Sequence, residues 1–315
     1  MGSRERVVVS GDLPGDAVPV LSESFAVDVA PSIAEADLAG ASGLLSLVTD
    51  RIDASVLARA PALKVVANVA VGVDNVDLAA CAARGVVVTN TPDVLTEATA
   101  DLAFGLLLDA ARRISEGDRL MRAGGWKAWT PTFHLGAKVH GMKLGVVGFG
   151  RIGMAMARRA RGFGMHVGYT QRRRVPENLE RVLGATFVPD LDELCATSDA
   201  ITIHCPLTPE TRGLFDAARL ARMRPGSVLV NTARGPIVDE AALAKALRDG
   251  PLAAAGLDVY ADEPRVHPDL LAREDVVLAP HIGSAERETR EKMAATAAAN
   301  VIAVLHGKAP LTPVR

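Results

Sequence analysis

Short runs of almost unbroken apolar residues alternate along this chain with longer stretches whose apolar positions recur at helical spacing. The runs are "RVVVS" (6–10), "GLLSLV" (43–48), "KVVANV" (64–69) and "GVVVTN" (85–90), then "KLGVVGF" (143–149) and "HVGYT" (166–170). They continue with "AITIHC" (200–205), "SVLVNT" (227–232), "AGLDVY" (255–260) and "VVLAP" (276–280). Continuous apolar runs mark strands buried on both faces, and strands separated by helices predict doubly wound α/β domains with parallel sheets. A long helical pattern from Val94 to about Ile114 is expected to cross between two halves. The stretch 121–141, which holds both tryptophans, keeps no steady period and reads as a long loop. A last helix from about Ala285 to His306 has Ser284 as the expected N-cap and Gly307 after its end. Met293, Ala297, Val301 and Leu305 give it one apolar stripe.

Composition narrows the class. A length of 315 residues suffices for two domains, and 49% apolar with 23% charged residues is globular. A net charge of −2 argues against a nucleic-acid or membrane-surface protein. Cys81, Cys195 and Cys205 lie far apart, as reduced thiols do, with no metal-ligand spacing. The start "MGSRERVVVS" lacks a signal-peptide segment, and Arg6 stands where a myristoylation motif takes Ser or Thr. No run approaches the ~20 apolar residues that span a bilayer, so a cytoplasmic protein is expected.

The first chemistry lies in "KLGVVGFGRIGMAMARRA", a strand, a turn and a helix in succession. Gly148, Gly150 and Gly153 form G-x-G-x-x-G: a tight turn, a close backbone approach to a pyrophosphate, and close helix–strand packing. An NAD site would place an acid at the end of the next strand, but this chain offers Thr170 and then Arg172, Arg173 and Arg174. Thr170 removes a repulsion, and guanidiniums pair with phosphate, so NADP(H) is the expected cofactor, with NAD(H) as the alternative. Arg172 and Arg173, nearer the strand end, are the expected 2′-phosphate contacts; an ordinary solvated basic loop is the competing reading.

Arg234, Glu263 and His281 each follow a strand end, where open parallel sheets bind ligands. Together they suit hydride transfer to a 2-oxo acid. Arg clamps the carboxylate and polarises the carbonyl, His supplies a proton, and the carboxylate orients the imidazole and favours its charged form. Taken singly, each also fits a structural duty: a turn cap, a surface charge, a satisfied half-buried histidine.

"GFGRIG", "HCPLTPETRGL", "MRPGSVLVNTARGPIVDEAALAKAL", "AAAGLDVYADEP" and "VVLAPHIGSA" resemble, in order and spacing, the D-isomer-specific 2-hydroxyacid dehydrogenases. "ANVAVGVDNVDL" extends the resemblance over nearly the whole chain. It implies that Arg234, Glu263 and His281 are the catalytic set, and that the Val71 and Gly72 amides hold the substrate carboxylate, with Ser284 also at the substrate. It implies cofactor contacts at Thr99, Phe149, Arg151 and Ile152, at Cys205, Pro206 and Thr211, and at Thr232, Ala233, Asp258 and Gly283. Asp258 would receive the nicotinamide carboxamide. The implied architecture is a Rossmann cofactor domain, 99–284, and a discontinuous flavodoxin-like substrate domain, 1–98 with 285–315. "TPDVLTEATADLA" and "GGWKAWTP" are most like the glyoxylate/hydroxypyruvate reductases, in which Trp129, or Trp126 as runner-up, would reach the site of a dimer partner. Both could instead be ordinary interface aromatics. A broader 2-ketoacid reductase, another member of the family, or a non-enzymatic NAD(P)H sensor that keeps the fold are the competing functions.

Overall fold

In the computed structural model, which describes residues 4–314, the apolar runs all become strands and every strand pairing is parallel. The Met-Gly start lies outside the described residues. The chain divides into two compact units, 1–95 with 284–315, and 96–283. The division falls at the start of the helix Thr96–Arg112, so this helix lies wholly in the second unit.

The first unit holds β1 (Arg6–Ser10), β2 (Ala26–Ala30), β3 (Ala41–Ser46), β4 (Val65–Asn68) and β5 (Val87–Thr89) in the order β2-β1-β3-β4-β5. That is the flavodoxin-like winding, with its switch point between β1 and β3. Val7, Val9, Leu45, Val65 and Ala67 pack one sheet face against the helix Arg287–Leu305, which contributes Ala294, Ala297, Ala298 and Val301. Of the expected stripe, Met293, Ala297 and Val301 are buried and Leu305 is half-buried. Ser284 is not the N-cap. Glu286 occupies that position without a side-chain cap bond, and its amide turns back to the Ser284 carbonyl at 2.8 Å.

The second unit holds β6 (Lys143–Val147), β7 (His166–Thr170), β8 (Ala185–Phe187), β9 (Ala200–Ile203), β10 (Ser227–Asn231), β11 (Leu252–Leu257) and β12 (Val276–Leu278). Their order, β8-β7-β6-β9-β10-β11-β12, is the Rossmann winding extended by one strand, and it reverses direction at β6. Two clusters cover its two faces, one around Leu107, Met156 and Tyr169, the other around Ile201, Phe215 and Leu243.

β2 and β8 have no counterpart among the apolar runs. Both are edge strands, and "AVDVA" and "ATF" are largely uncovered, so burial does not select apolar residues there. β11 begins and ends three residues before the run "AGLDVY" does, because Asp258–Tyr260 already belongs to the loop beyond the strand. The long helix stops at Arg112, since Arg113 takes a left-handed backbone at φ 57° and a second helix runs from Ile114 to Arg122. Beyond it, 123–142 carries no helix or strand. No helix among the described residues is long and apolar enough to cross a membrane.

Candidate active site

The glycine turn follows β6 and opens the helix Arg151–Gly162. Gly148 sits at φ 89°, and a Cβ there would stand 2.5 Å from the Cys205 amide nitrogen. At Gly153 a Cβ would lie 2.2 Å from the Gly148 carbonyl oxygen, so only glycine lets the helix pack on the turn. Gly150 differs: nothing lies within 4 Å of its missing Cβ. The turn thus closes on the protein at two glycines and is open at the third, beside a helix N-terminus whose amides favour an anion. A dinucleotide pyrophosphate fits this cradle.

Beyond it, Thr170 is buried at the end of β7, and its carbonyl accepts the Gly148 amide at 2.9 Å. Gln171, a residue no motif picks out, ties the two elements together. Its Oε1 accepts the Phe149 amide at 3.1 Å and its Nε2 donates to the Arg173 carbonyl at 2.6 Å. The Phe149 ring is stacked on Tyr169 with centroids 4.0 Å apart, so only its backbone borders the turn. Arg174 is committed elsewhere, donating to buried Glu180 at 2.9 and 2.7 Å. Tyr169 also donates to Glu180 at 2.6 Å and accepts the Val175 amide at 3.1 Å. The hydrogen bonds from Arg174 and Tyr169 hold the Glu180 carboxyl down to about 2. Arg172 and Arg173 are exposed, and among the described residues no ion pair or side-chain hydrogen bond holds either.

The catalytic candidates stand past the carboxyl ends of β10, β11 and β12 in the same sheet. After β10 the Asn231 side chain accepts the Ala233 amide at 3.0 Å and donates to the Arg234 carbonyl at 2.9 Å, turning the chain sharply. A Cβ on Gly235 would lie 1.9 Å from the Tyr260 carbonyl carbon, so the loops after β10 and β11 are in direct backbone contact. Past β11, Glu263 accepts the Tyr260 amide at 3.0 Å on Oε1 and faces His281 Nδ1 at 2.8 Å with Oε2. Half-burial alone would raise the Glu263 carboxyl. The bond from His281, the Tyr260 amide and the charges of His281 and Arg234 outweigh it and hold the group below its ordinary range. An ionised carboxylate only accepts, so Nδ1 is the donor and Nε2 is the nitrogen left for chemistry.

His281 itself has a left-handed backbone, φ 52°, costly for a residue with a Cβ. Asp258 maintains it. This buried carboxylate accepts the Ile282 amide at 2.7 Å and the Gly283 amide at 2.8 Å. Burial pushes the Asp258 carboxyl up, and those two amides offset part of the rise. Each oxygen keeps a lone pair, so a carboxamide partner is compatible with this bracing duty. Thr99 donates to the Gly283 carbonyl at 3.1 Å.

Thr211 donates to the Pro206 carbonyl at 2.7 Å, and Thr232 Oγ1 is buried without a partner among the described residues. Burial pushes the Cys205 thiol up to about 11, which keeps it a neutral lining group. Arg151 begins the helix after the turn, exposed, with Ile152 and Ala233 half-buried. Ser284, Val71 and Gly72 are half-buried in the first unit. Trp129 is 76% exposed and Trp126 49%. No group of three His, Cys, Asp or Glu among the described residues could hold a metal.

A family model described as the NAD binding domain of D-isomer specific 2-hydroxyacid dehydrogenases matches residues 104–283. The chain is 47% identical over 320 residues to a glyoxylate reductase of Thermococcus onnurineus, covering 98% of this chain and 95% of that one. A solved protein of Thermus thermophilus is similar at a TM-score of 0.91 and 48% identity, over 98% of this chain and 100% of that one. An NADPH-dependent glyoxylate/hydroxypyruvate reductase from Sinorhizobium meliloti, solved with NADP and malonate, is similar at a TM-score of 0.88 and 36% identity, over 99% and 97% of the two chains. With its 96–283 unit formed as the NAD-binding domain, this chain belongs to the D-isomer specific 2-hydroxyacid dehydrogenases.

Proposed function

We propose that the protein reduces glyoxylate and hydroxypyruvate to glycolate and D-glycerate with NADPH. The observation that carries the reaction type is the Glu263–His281 contact of 2.8 Å at the carboxyl ends of β11 and β12, with the charge of Arg234 bearing on the same carboxylate. The hydride taken by the 2-oxo carbon would come from a reduced nicotinamide dinucleotide held at the glycine turn of Gly148, Gly150 and Gly153. His281 Nε2 gives the proton to the carbonyl oxygen, and Glu263 balances the imidazolium before that transfer. Arg234 holds the substrate carboxylate and polarises the carbonyl. The amides of Val71 and Gly72 bind a substrate carboxylate, which makes their own unit, 1–95 with 284–315, the substrate domain.

Support for NADPH comes from the β7 end. Thr170 carries no charge to repel a 2′-phosphate, and Arg172 and Arg173 are exposed where Arg174 is committed to Glu180. The Sinorhizobium relative is named as NADPH-dependent. Trp129, on its exposed loop, limits the substrate to small acids by covering the site of a second copy in a homodimer. Three dispersed thiols, two of them buried, suit the reducing cytoplasm.

The test is a steady-state matrix of NADH and NADPH against glyoxylate, hydroxypyruvate, pyruvate and larger 2-oxo acids. Glyoxylate and hydroxypyruvate with NADPH should give the highest kcat/KM. Preference for a bulky acid overturns the substrate assignment, and preference for NADH overturns the cofactor assignment.

A further inference from the structure

In the loop that follows β4, Ala70 and Val71 are held through their carbonyls. The Ala70 carbonyl accepts the Thr91 amide at 2.9 Å, and the Val71 carbonyl accepts Asn90 Nδ2 at 2.8 Å. In a planar trans peptide the N–H of the next residue points opposite to the carbonyl. Both carbonyls face the Asn90–Thr91 segment, so the amides of Val71 and Gly72 are turned away from it. Among the described residues no protein acceptor takes either amide. One step on, the Gly72 carbonyl accepts Asn68 Nδ2 at 2.9 Å. Successive amides turned outward in this way make an anion-binding concavity.

Asn90 is not a passive neighbour, because the C-terminal segment sets its position. Thr312 Oγ1 donates to the Asn90 carbonyl at 2.6 Å, and the Asn90 amide donates to the Thr312 carbonyl at 3.3 Å. Thr312 is held in turn by Asn300, fully buried on the helix Arg287–Leu305. Asn300 Nδ2 donates to Thr312 Oγ1 at 2.9 Å, while its Oδ1 accepts the Thr312 amide at 3.0 Å. A continuous chain of hydrogen bonds therefore runs from Asn300 through Thr312 and Asn90 to the Val71 carbonyl. All of it lies within the first unit.

We infer that Asn90, set by Thr312 and Asn300, is a positioning residue that turns the Val71 and Gly72 amides toward a substrate carboxylate. The inference rests on the proposed reduction of 2-oxo acids. It explains why a polar side chain follows β5 at this point, and it makes the C-terminal segment part of the recognition of substrate charge.

Asn90→Asp tests it, since the replacement is nearly isosteric but offers the Val71 carbonyl an acceptor instead of a donor. Three quantities are measured: kcat and KM for glyoxylate, the kcat/KM ratio of glyoxylate over its uncharged methyl ester, and the Kd of NADPH by fluorescence. The expected result is a KM about tenfold higher, and an acid-over-ester ratio about tenfold lower, which is one lost charge-orienting hydrogen bond. The NADPH Kd should stay within about twofold. An unchanged KM and ratio overturns the inference, and so does an equal loss for acid, ester and NADPH, which marks a general structural role. If Asn90→Asp does not fold by circular dichroism, Thr312→Val decides. It should shift the same ratio in the same direction by about threefold, and an unchanged ratio overturns the inference. A wild-type enzyme that reduces no 2-oxo acid overturns the functional reading itself. An active wild type with an unmoved ratio in the variants overturns this inference alone.

Discussion

Two carboxylates of the second unit, Glu180 and Glu263, each meet a basic side chain near the end of a sheet strand, and they do opposite things. Glu180 is buried and closed: Arg174 takes both its oxygens, and Tyr169 shares one of them. The carboxylate is fully engaged, although the Arg174 side chain stays half-exposed, and the consequence of the network is shape. It anchors the turn after β7 so that Arg172 and Arg173 stand outside. Glu263 is half-exposed and open. It spends one oxygen on the Tyr260 amide and one on His281 Nδ1, and the histidine keeps Nε2 unspent. A buried carboxylate bonded on both oxygens rigidifies its turn, whereas a pair that leaves a ring nitrogen unbonded at its rim can transfer a proton. The same division separates Arg174 from its two neighbours.

Removing the open valence should have the largest effect. His281→Ala is expected to lower kcat by about two to four orders of magnitude while NADPH still quenches protein fluorescence. A kcat within about threefold of wild type would remove His281 as the acid. Glu263→Gln keeps the histidine but not the balancing charge, and its kcat should fall by about ten- to a hundredfold, between wild type and His281→Ala. Equal losses in the two variants would mean that the pair acts only as a unit. At the other end of the sheet, Arg172→Ala with Arg173→Ala should raise the NADPH Kd by about ten- to a hundredfold and the NADH Kd far less. Parallel weakening of both cofactors would return these arginines to the solvated loop.

The smallest effect belongs to the closed network. Glu180→Gln should lower Tm at neutral pH and reduce the NADPH-over-NADH ratio a few-fold. Its pH dependence has a definite sign. The folded carboxyl sits at about 2, below its ordinary 4.5, so its stabilisation is present above 4.5 and fades as pH falls from 4.5 toward 2. The Tm gap between wild type and Glu180→Gln should close over that window. A gap independent of pH would assign the loss to packing, not charge.

The parts of the fold visible in the chain are those with a local signature. Strands buried on both faces appear as apolar runs, and the glycine turn appears because sterics allow nothing else at Gly148 and Gly153. Edge strands β2 and β8 were hidden, since uncovered faces do not select apolar residues. The N-cap shifted from Ser284 to Glu286 because the cap was decided by a backbone turn, for which the side chain is a weak sign. Gln171, Glu180 and Asn90 carry no motif at all. Each is an ordinary polar residue whose duty lies in what it touches.

By itself, then, the sequence determined which residues are candidates for chemistry: an Arg, a Glu and a His past three strand ends, and a Thr followed by arginines after the glycine turn. Spacing and residue type are local, so they survive in one dimension. The tertiary structure decided which of those groups are spent and which are free. Glu263 lies 18 residues from His281, Gln171 lies 22 from Phe149, and Asn90 lies 19 from Val71. A hydrogen bond forms only when folding brings donor and acceptor within about 3 Å, and no local pattern records which distant partner will arrive.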